Sequence, residues 1–549
     1  MRQATETSSS LTRVIGLACL LSLTALLVAA VMQSDRGLWQ DESTLLANFG
    51  LPLGAYFHAL PFYDQAAPPF ALLTLDAAYL VAHGSVTAMR LLVMAFHLTL
   101  LAGMAAIAWR RSDRAALLAI AMMAVTPLVV RYVVELKQYG FELQASLVFV
   151  LALRWWPDRP APVMTLAAVL SFFSFSIMLV VGVGVLDAIV FRVEGRSRRQ
   201  WLALLALYTL SWIACYLLLF RPATLLQTLN YPSAYQRPPL AVIMHKPQLA
   251  VWQFEVIGRA QAAFAAGTAL AAAAVLGLLA VPFGRHRPAL RDWAPWAEVW
   301  QPLRLFAGLM ALVVLLWLAN LYPVATNKQF LFTMPVGALI VAELFVAAAA
   351  AIDRGVLAAG ALAAILAPSA ANSLQREWTD ATDFQDTQGL YAFLKSDPSA
   401  LVLPEVLFEP TLRYYSTRDT RSPRRVSGWL RAETRPMESP QEAAAALSGT
   451  TAPVYQHVWQ PLNVAQMYGT YADWLVRHAR GQGRAYVAAT LLGDANEALY
   501  ARAAQRQGCG FGVGYRSRDV VALRIDCPRE GASASSSTSS GKAQTARVL

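Results

Sequence analysis

Charge is scarce in this chain. Asp, Glu, Lys and Arg make up 14% of its 549 residues, where an average soluble domain carries about 25%. With 57% of the residues hydrophobic, that shortage excludes an ordinary soluble domain and points to a membrane protein. Cysteine is scarce too. There are four, with no CxxC pattern and no Cys/His cluster, so a zinc site is not expected. Cys19 and Cys215 fall inside apolar runs and read as packing residues. No internal repeat of the kind left by duplicated transporter halves is visible. Gly508–Ser517 (GCGFGVGYRS) alternates glycines but does not open a helix, so it reads as a strand edge or turn, not a phosphate loop. Basic stripes interleaved with aromatics are also missing, so the net charge of +11 does not indicate nucleic acid.

What the chain has in quantity is apolar runs of near-spanning length. They fall near 12–32, 87–109, 115–130, 140–156, 162–191, 201–220, 260–282, 303–321, 329–350 and 355–371. The run 162–191 is too long for one simple span and too short for two standard ones, since a span takes about 20 residues. Basic clusters resolve it. If 162–191 is a hairpin of two short helices, then Arg2/Arg13, Arg110/Arg111/Arg114, Arg154/Arg159, Arg192/Arg196/Arg198/Arg199, Arg285/Arg287/Arg291 and Arg354 all lie on one side. Short basic loops stay cytoplasmic during insertion. The expectation is therefore a polytopic α-helical protein of the inner (plasma) membrane with about eleven spans, a cytoplasmic N-terminus and an extracytoplasmic C-terminus. Residues 1–372 form the membrane domain, with external loops at 33–86 and 221–259.

After residue 372 charge rises and long apolar runs stop. Helix-like stretches (384–395, 463–479, 494–507) alternate with strand-like runs at Ala400–Leu403, Pro453–Val458, Ala485–Leu492 and Val520–Ile525. Residues 373–530 thus read as a small external α/β domain, and the Ser-rich 531–549 as a disordered tail. Cys509 and Cys527 flank a hairpin there, and outside the cytoplasm such a pair is expected to form a disulfide, which stabilises by about 3 kcal/mol. Asp380 and Asp383 sit in the linker after the last apolar run and carry no metal-site reading.

Three stretches at external membrane boundaries can carry chemistry. Leu38–Asn48 (LWQDESTLLAN) puts Asp41 and Glu42 where a helix begins just after the first span. Adjacent helical positions point in different directions, so one carboxylate can face a cavity while the other meets a structural partner. The bland alternative is an N-terminal capping pair. Arg131–Glu142 (RYVVELKQYGFE) brings Glu135, Lys137 and Tyr139 to the external end of the third span. Positive charge there runs against the inside bias and calls for a reason, such as a lipid-linked phosphate. Tyr322–Pro335 (YPVATNKQFLFTMP) places Lys328 at another external boundary, where snorkelling to headgroups is the bland reading. Between them, Pro68–Val81 is apolar, short and interrupted by Asp76, and reads as a helix lying in the membrane interface.

Together these stretches resemble the GT-C class of membrane glycosyltransferases, in particular the group of protein O-mannosyltransferases and the lipid A aminoarabinose transferase. The resemblance covers about residues 12–370. It rests on Asp41-Glu42 in the first external loop, Pro68-Pro69-Phe70 opening the interfacial helix, Lys137-Gln138-Tyr139 preceded by Glu135, and Lys328 through Pro335. Both positions where that group carries Arg hold Lys here, which keeps the charge but loses the planar fork that grips phosphate at two points.

The resemblance implies an inverting transfer of a sugar from a polyprenyl-phosphate donor to an acceptor hydroxyl on the extracytoplasmic face. Asp41 and Glu42 are then the catalytic candidates, Lys137, Lys328 and Tyr139 the donor-phosphate ligands, and Glu135 their support. His245 and Lys246 are assigned to the acceptor side. No cofactor is implied with certainty, and a divalent metal stays open. Partners are the lipid-linked donor, membrane lipid and an acceptor that is glycan, lipid or protein. The alternative is a transporter or lipid flippase, which would carry its charges mid-span along a central path.

Overall fold

In this computed structural model the described residues are 2–58, 60–63, 65–221, 295–319, 321–322, 327–352, 366–367, 370–371, 375, 386–405, 407–418, 426, 464–490, 493–517 and 519–529. The expected span 260–282, nearly all of the loop 221–259 with His245 and Lys246, the strand-like Pro453–Val458, the tail 531–549 and the side chain of Lys328 lie outside them. The chain divides into two compact units, with Met1–Gln385 forming the bulk of the first and Asp386–Arg431 and Pro461–Leu549 the bulk of the second.

The first unit is helical. It opens with α1 (Arg2–Gln33), the short α2 (Gln40–Leu46), α3 (Pro69–Val81) and α4 (Val86–Arg110). Next come α5 (Arg114–Ala124), α6 (Pro127–Val134), α7 (Tyr139–Trp155), α8 (Pro160–Ser171), α9 (Ile177–Phe191) and α10 (Gly195–Cys215). The later part holds α11 (Pro295–Leu318) and α12 (Met334–Ile352), the latter preceded by a 3-10 turn at Asn327–Thr333. Five helices among the described residues are long and apolar enough to cross a membrane, or six if a bent pair counts as one span.

That bent pair is α5–α6, which turns by 74° at residues 125–126. The run 115–130 reads as one segment in sequence, but Pro127 has no N–H to donate and biases Thr126 out of the helical region. Thr126 is indeed extended (φ −82°, ψ 126°). The run 162–191 is two helices, α8 and α9, that touch each other. Helix α5 (RAALLAIAMMA) is buried along nearly its whole length and packs against α1 and α12. Its many alanines let neighbouring backbones approach closely, as small residues do between membrane helices. The sharp reversal between α3 and α4 uses Gly84 at φ +75°, whose N–H closes onto the Tyr79 carbonyl at 3.1 Å.

The second unit holds a four-stranded sheet in the order β1-β2-β4-β3, from β1 (Leu401–Pro404), β2 (Arg484–Thr490), β3 (Gly510–Ser517) and β4 (Val520–Asp526). Strands β1 and β2 are parallel, and the other two pairings are antiparallel. Side chains alternate across the sheet. Val402, Ala488 and Ala522 join Leu390 and Leu394 of the helix Thr387–Ser396 in one core, while Leu403, Val487 and Leu523 are buried on the other face. The glycine-alternating stretch is the edge strand β3, and Cys509–Cys527 form a disulfide across the ends of the β3–β4 hairpin.

Candidate functional site

The site begins at the turn into α2. Asp41 and Glu42 sit in the first helical turn, where the N–H groups of the helix end favour negative charge. Their side chains part company there. Glu42 is fully buried. One carboxylate oxygen meets Nη2 of Arg90 at 2.6 Å and accepts from the Trp39 N–H at 3.3 Å; the other accepts from the Leu136 N–H at 3.0 Å. Arg36 lies 3.7 Å away. Burial alone would raise this carboxyl, but the charges of Arg90 and Arg36 and the Leu136 N–H together hold it below the usual carboxylate range. Expected with Asp41 as a catalytic candidate, Glu42 is engaged on every side, and its work in the structure is to hold two segments together. Asp41 is half-buried and keeps a face outside that core.

Arg90 is the hub of this arrangement. It is fully buried near the start of α4 and donates to the carbonyls of Arg36 and of Gly37, the latter at 3.1 Å. One guanidinium thus fixes the course of residues 36–42 between α1 and α2. Arg36 itself is pushed down from its ordinary value, by burial first and then by the like charges of Arg90 and Arg131, against Glu42 and Glu135.

The second segment comes from the break between α6 and α7. Glu135 leaves the helix (ψ 132°), and its carbonyl accepts from the Lys137 N–H at 2.8 Å, so residues 135–138 form a tight, largely buried turn before α7 restarts at Tyr139. Lys137 is buried and donates through Nζ to Oε1 of Gln65 at 2.6 Å. Gln65 in turn donates to the Tyr63 carbonyl at 2.9 Å. Arg131 reaches toward Glu135 at 3.6 Å and lies over the rings of Trp39 and Tyr132, at 5.9 and 5.5 Å. Tyr139 stands close enough to Asp41 and Glu135 that their charges add to burial in raising its phenol well above the ordinary value. Gly140 allows the turn to close, because a Cβ there would lie 2.5 Å from the Tyr132 carbonyl oxygen and 2.8 Å from Nε2 of His97.

The structure therefore brings Asp41, Glu42, Glu135, Lys137 and Tyr139 into one cluster, from stretches 94 residues apart along the chain. Lys328 contributes only its backbone to the description. It lies in the 3-10 turn Asn327–Thr333, which packs on α7, with Ser146 donating to the Phe332 carbonyl at 2.5 Å. His245 and Lys246 lie outside the described residues. Pro69-Phe70 opens α3 and docks it to the α8–α9 break, where the Phe70 N–H donates to the Phe172 carbonyl at 2.9 Å. Arg36, Arg90, Arg131 and Gln65 belong to the cluster without having been assigned from sequence. A signal did exist for Arg90: a charge inside an apolar run of spanning length is costly and marks a function or a partner.

Chemically, the cluster sets four cations (Arg36, Arg90, Arg131, Lys137) against three carboxylates (Asp41, Glu42, Glu135). Largely shielded from water, such charges act far more strongly than at a surface. The arrangement suits a reaction in which negative charge accumulates on a phosphate beside a carboxylate that handles a hydroxyl. Among the described residues no group of three His, Cys, Asp or Glu side chains is placed to hold a metal ion.

No protein-family model matches the chain, and no curated protein matches it. Among solved structures it is similar to one described as ArnT from Cupriavidus metallidurans bound to undecaprenyl phosphate, with 14% identity over 92% of this chain and 97% of that chain, and a TM-score of 0.45.

Proposed function

We propose that the chain is an inverting membrane glycosyltransferase that moves a sugar from a polyprenyl-phosphate donor to an acceptor hydroxyl on the extracytoplasmic face. The observation that supports it most is the tie between the Asp41–Glu42 turn and the Glu135–Tyr139 turn, through the Glu42 carboxylate on the Leu136 N–H at 3.0 Å. That tie brings the half-buried Asp41 and the buried Lys137 into one cluster, although 96 positions separate them in the numbering.

The reaction is a single displacement. The acceptor oxygen attacks the anomeric carbon, the bond from that carbon to the phosphate oxygen breaks, and the polyprenyl phosphate leaves with both electrons and one more negative charge. Asp41 accepts a hydrogen bond from the acceptor hydroxyl and then its proton. An ordinary aspartate, with a pKa of about 3.9, is a weak base, so aiming the hydroxyl is the larger part of its role. Lys137 faces the leaving phosphate, joined by Lys328 from the 3-10 turn against α7. Tyr139 donates to phosphate or sugar. Glu42 and Arg90 hold the frame, and Glu135 holds Arg131 and the lysine turn.

The test is an in vitro assay of the purified full chain with a panel of polyprenyl-phosphate sugars, followed by mass spectrometry of candidate acceptors. Asp41→Asn is expected to lower transfer by about 10²- to 10⁴-fold, the usual worth of a general base, with unchanged thermal unfolding. Lys137→Ala is expected mainly to raise the KM for donor, by about tenfold for one lost charge-assisted contact of roughly 1.4 kcal/mol. Near-normal turnover by Asp41→Asn removes the assigned role. Movement of labelled lipid across the bilayer without any new glycosidic bond would replace the whole reading with a flippase.

A further inference from the structure

Helices α4 and α7 both begin at the site and run to a second charged cluster at their other ends, about 25 Å away for the 17 residues of α7. A cavity of about 540 Å³ opens there, within the range of small-ligand sites. Three carboxylates line it, and all three are committed to Arg154. Asp113 meets Arg154 at 2.7 Å, Glu343 at 2.6 Å and Glu298 at 3.7 Å. Asp113 also caps α5 by accepting from the Ala116 N–H at 3.0 Å, and it accepts from Nε1 of Trp155 at 2.8 Å.

Three further arginines line the same cavity: Arg114, which donates through Nε to the Thr12 hydroxyl at 2.9 Å, and two, Arg111 and Arg192, that have no such carboxylate partners. Arg111 lies over the rings of Trp156 and Trp155, at 4.8 and 5.6 Å, and donates to the Trp155 carbonyl at 3.4 Å. Arg192 donates to the Leu153 carbonyl at 3.4 Å. Among the described residues neither has a carboxylate within ion-pair distance. The nearest candidate for Arg192, Asp187, is taken by Arg304 at 2.6 Å. Burial, with the like charges of Arg154 and Arg304, pushes Arg192 down from its ordinary value despite Asp187 and Glu298. Four arginines (Arg111, Arg114, Arg154 and Arg192) thus line the cavity against three carboxylates, a formal excess of one positive charge that one anion would balance. Guanidinium forks match the oxygens of a phosphate at two points. Tryptophans beside them mark the depth of lipid headgroups, and the arginine-rich loops mark the inner leaflet.

We propose that this cavity is a phosphate-binding site at the cytoplasmic end of the membrane unit, with Arg111 and Arg192 as its ligands and the headgroup of an anionic inner-leaflet lipid, or free phosphate, as its occupant. It is separate from the donor site at the other end of α4 and α7, and it does not depend on the sugar-transfer reading. Arg154 and its carboxylates form the rigid floor that keeps the two ligand arginines from folding onto Asp113 or Glu343.

The test uses the purified, delipidated full chain in mild detergent. Phosphatidylglycerol, phosphatidylcholine and inorganic phosphate are offered separately, with retained lipid counted by native mass spectrometry and phosphate by equilibrium dialysis. Retention of phosphatidylglycerol over phosphatidylcholine is expected, reduced about fivefold by Arg111→Gln and again by Arg192→Gln, the worth of roughly one basic side chain each against a lipid phosphate. Lys137→Ala is expected to leave the part of the retention lost in Arg111→Gln unchanged. Inorganic phosphate bound and lost in the same two variants, with no lipid preference, supports the site with the soluble occupant. Equal retention of both lipids and no phosphate binding would overturn the proposal, as would undiminished retention in Arg111→Gln. Because Arg111 is exposed, that variant remains informative if Arg192→Gln fails to fold.

Discussion

The membrane unit has an ion-paired arginine at each end, Arg90 fully buried and Arg154 partly exposed, and the two are partnered in opposite ways. Arg90 meets one carboxylate, Glu42, and gives its other donors to backbone carbonyls of residues 36 and 37. Arg154 meets three carboxylates, one from the turn before α5, one from α11 and one from α12. The first arrangement dictates the path of a single loop. The second ties helix ends to one another and has little hold on the backbone between them. On the proposed reading, a loop that presents Asp41 to an acceptor needs the first kind. A bundle end that needs only to stay closed is served by the second.

Removing each arginine is the strongest way to break this comparison. Truncating one partner of a buried pair costs about 3–5 kcal/mol, because a charge is left without compensation. Arg154→Ala strands two carboxylates with little exposure, Asp113 at 10% and Glu343 at 7% of the side chain, whereas Arg90→Ala strands one, with Arg36 still 3.7 Å from it. Arg154→Ala is therefore expected to be the less stable of the two in thermal or denaturant unfolding. Arg90→Ala is expected to lose more transfer activity per unit of stability lost, because the loop it fixes carries Asp41. If both variants lose stability and activity in the same proportion, the division into a loop anchor and a bundle anchor is wrong.

A smaller change sharpens the contrast at the site end alone. Gly140→Ala puts a Cβ 2.5 Å from the Tyr132 carbonyl oxygen, so the turn carrying Glu135 and Lys137 must move. Overpacking of this kind costs about 1–3 kcal/mol. The donor KM is expected to rise, while lipid or phosphate retention at the Arg111–Arg192 cavity stays as in the wild type. Gly103 on α4 has open space around it, so Gly103→Ala serves as the control.

How much of this could be read from sequence depends on the range of the interaction. Helix-length apolar runs were legible because they are local, and the break in 162–191 because the basic clusters along the chain fix how many spans must lie between them. The same holds for the helices at Val464–Ala479 and Asp494–Arg506, which fall within a residue or so of the stretches read as 463–479 and 494–507. The 74° bend inside 115–130 was marked by Pro127 but is not visible from hydropathy. Asp41, Glu135 and Lys137 stood out because charge beside an apolar run is rare. Their frame did not. Arg90 and Glu42 are 48 positions apart, and Lys137 and Gln65 are 72 apart. No spacing rule connects such pairs, since only the packing of α4 and α7 brings them together. Which of the adjacent Asp41 and Glu42 turns inward was likewise open, because the choice is made by where Arg90 lies.

Acid is the mildest probe, and it tests whether the two ends share one electrostatic logic. Glu42 and Asp113 are both held below their ordinary carboxyl values. In each case burial acts against the shift and is outweighed by arginine, Arg90 with Arg36 for Glu42 and Arg154 for Asp113. A carboxyl whose folded pKa lies below its unfolded one binds its proton more readily when unfolded, so it contributes stability above the unfolded value and loses it as pH falls through the folded value. Unfolded glutamate and aspartate titrate near about 4.3 and 3.9. The stability contributed by these two carboxyls is therefore expected to hold level from neutrality to about pH 4.5 and to fall below it. Glu42→Gln lowers the plateau but flattens part of the acid limb, because the group that gained protons on unfolding is gone. Asp113→Asn does the same from the other end, and the two flattenings should add, since α4 and α7 separate the groups by far more than the range over which neighbouring sites couple. An acid limb as steep in the double variant as in the wild type would place the titrating carboxyls elsewhere and break the parallel between the two arginine clusters.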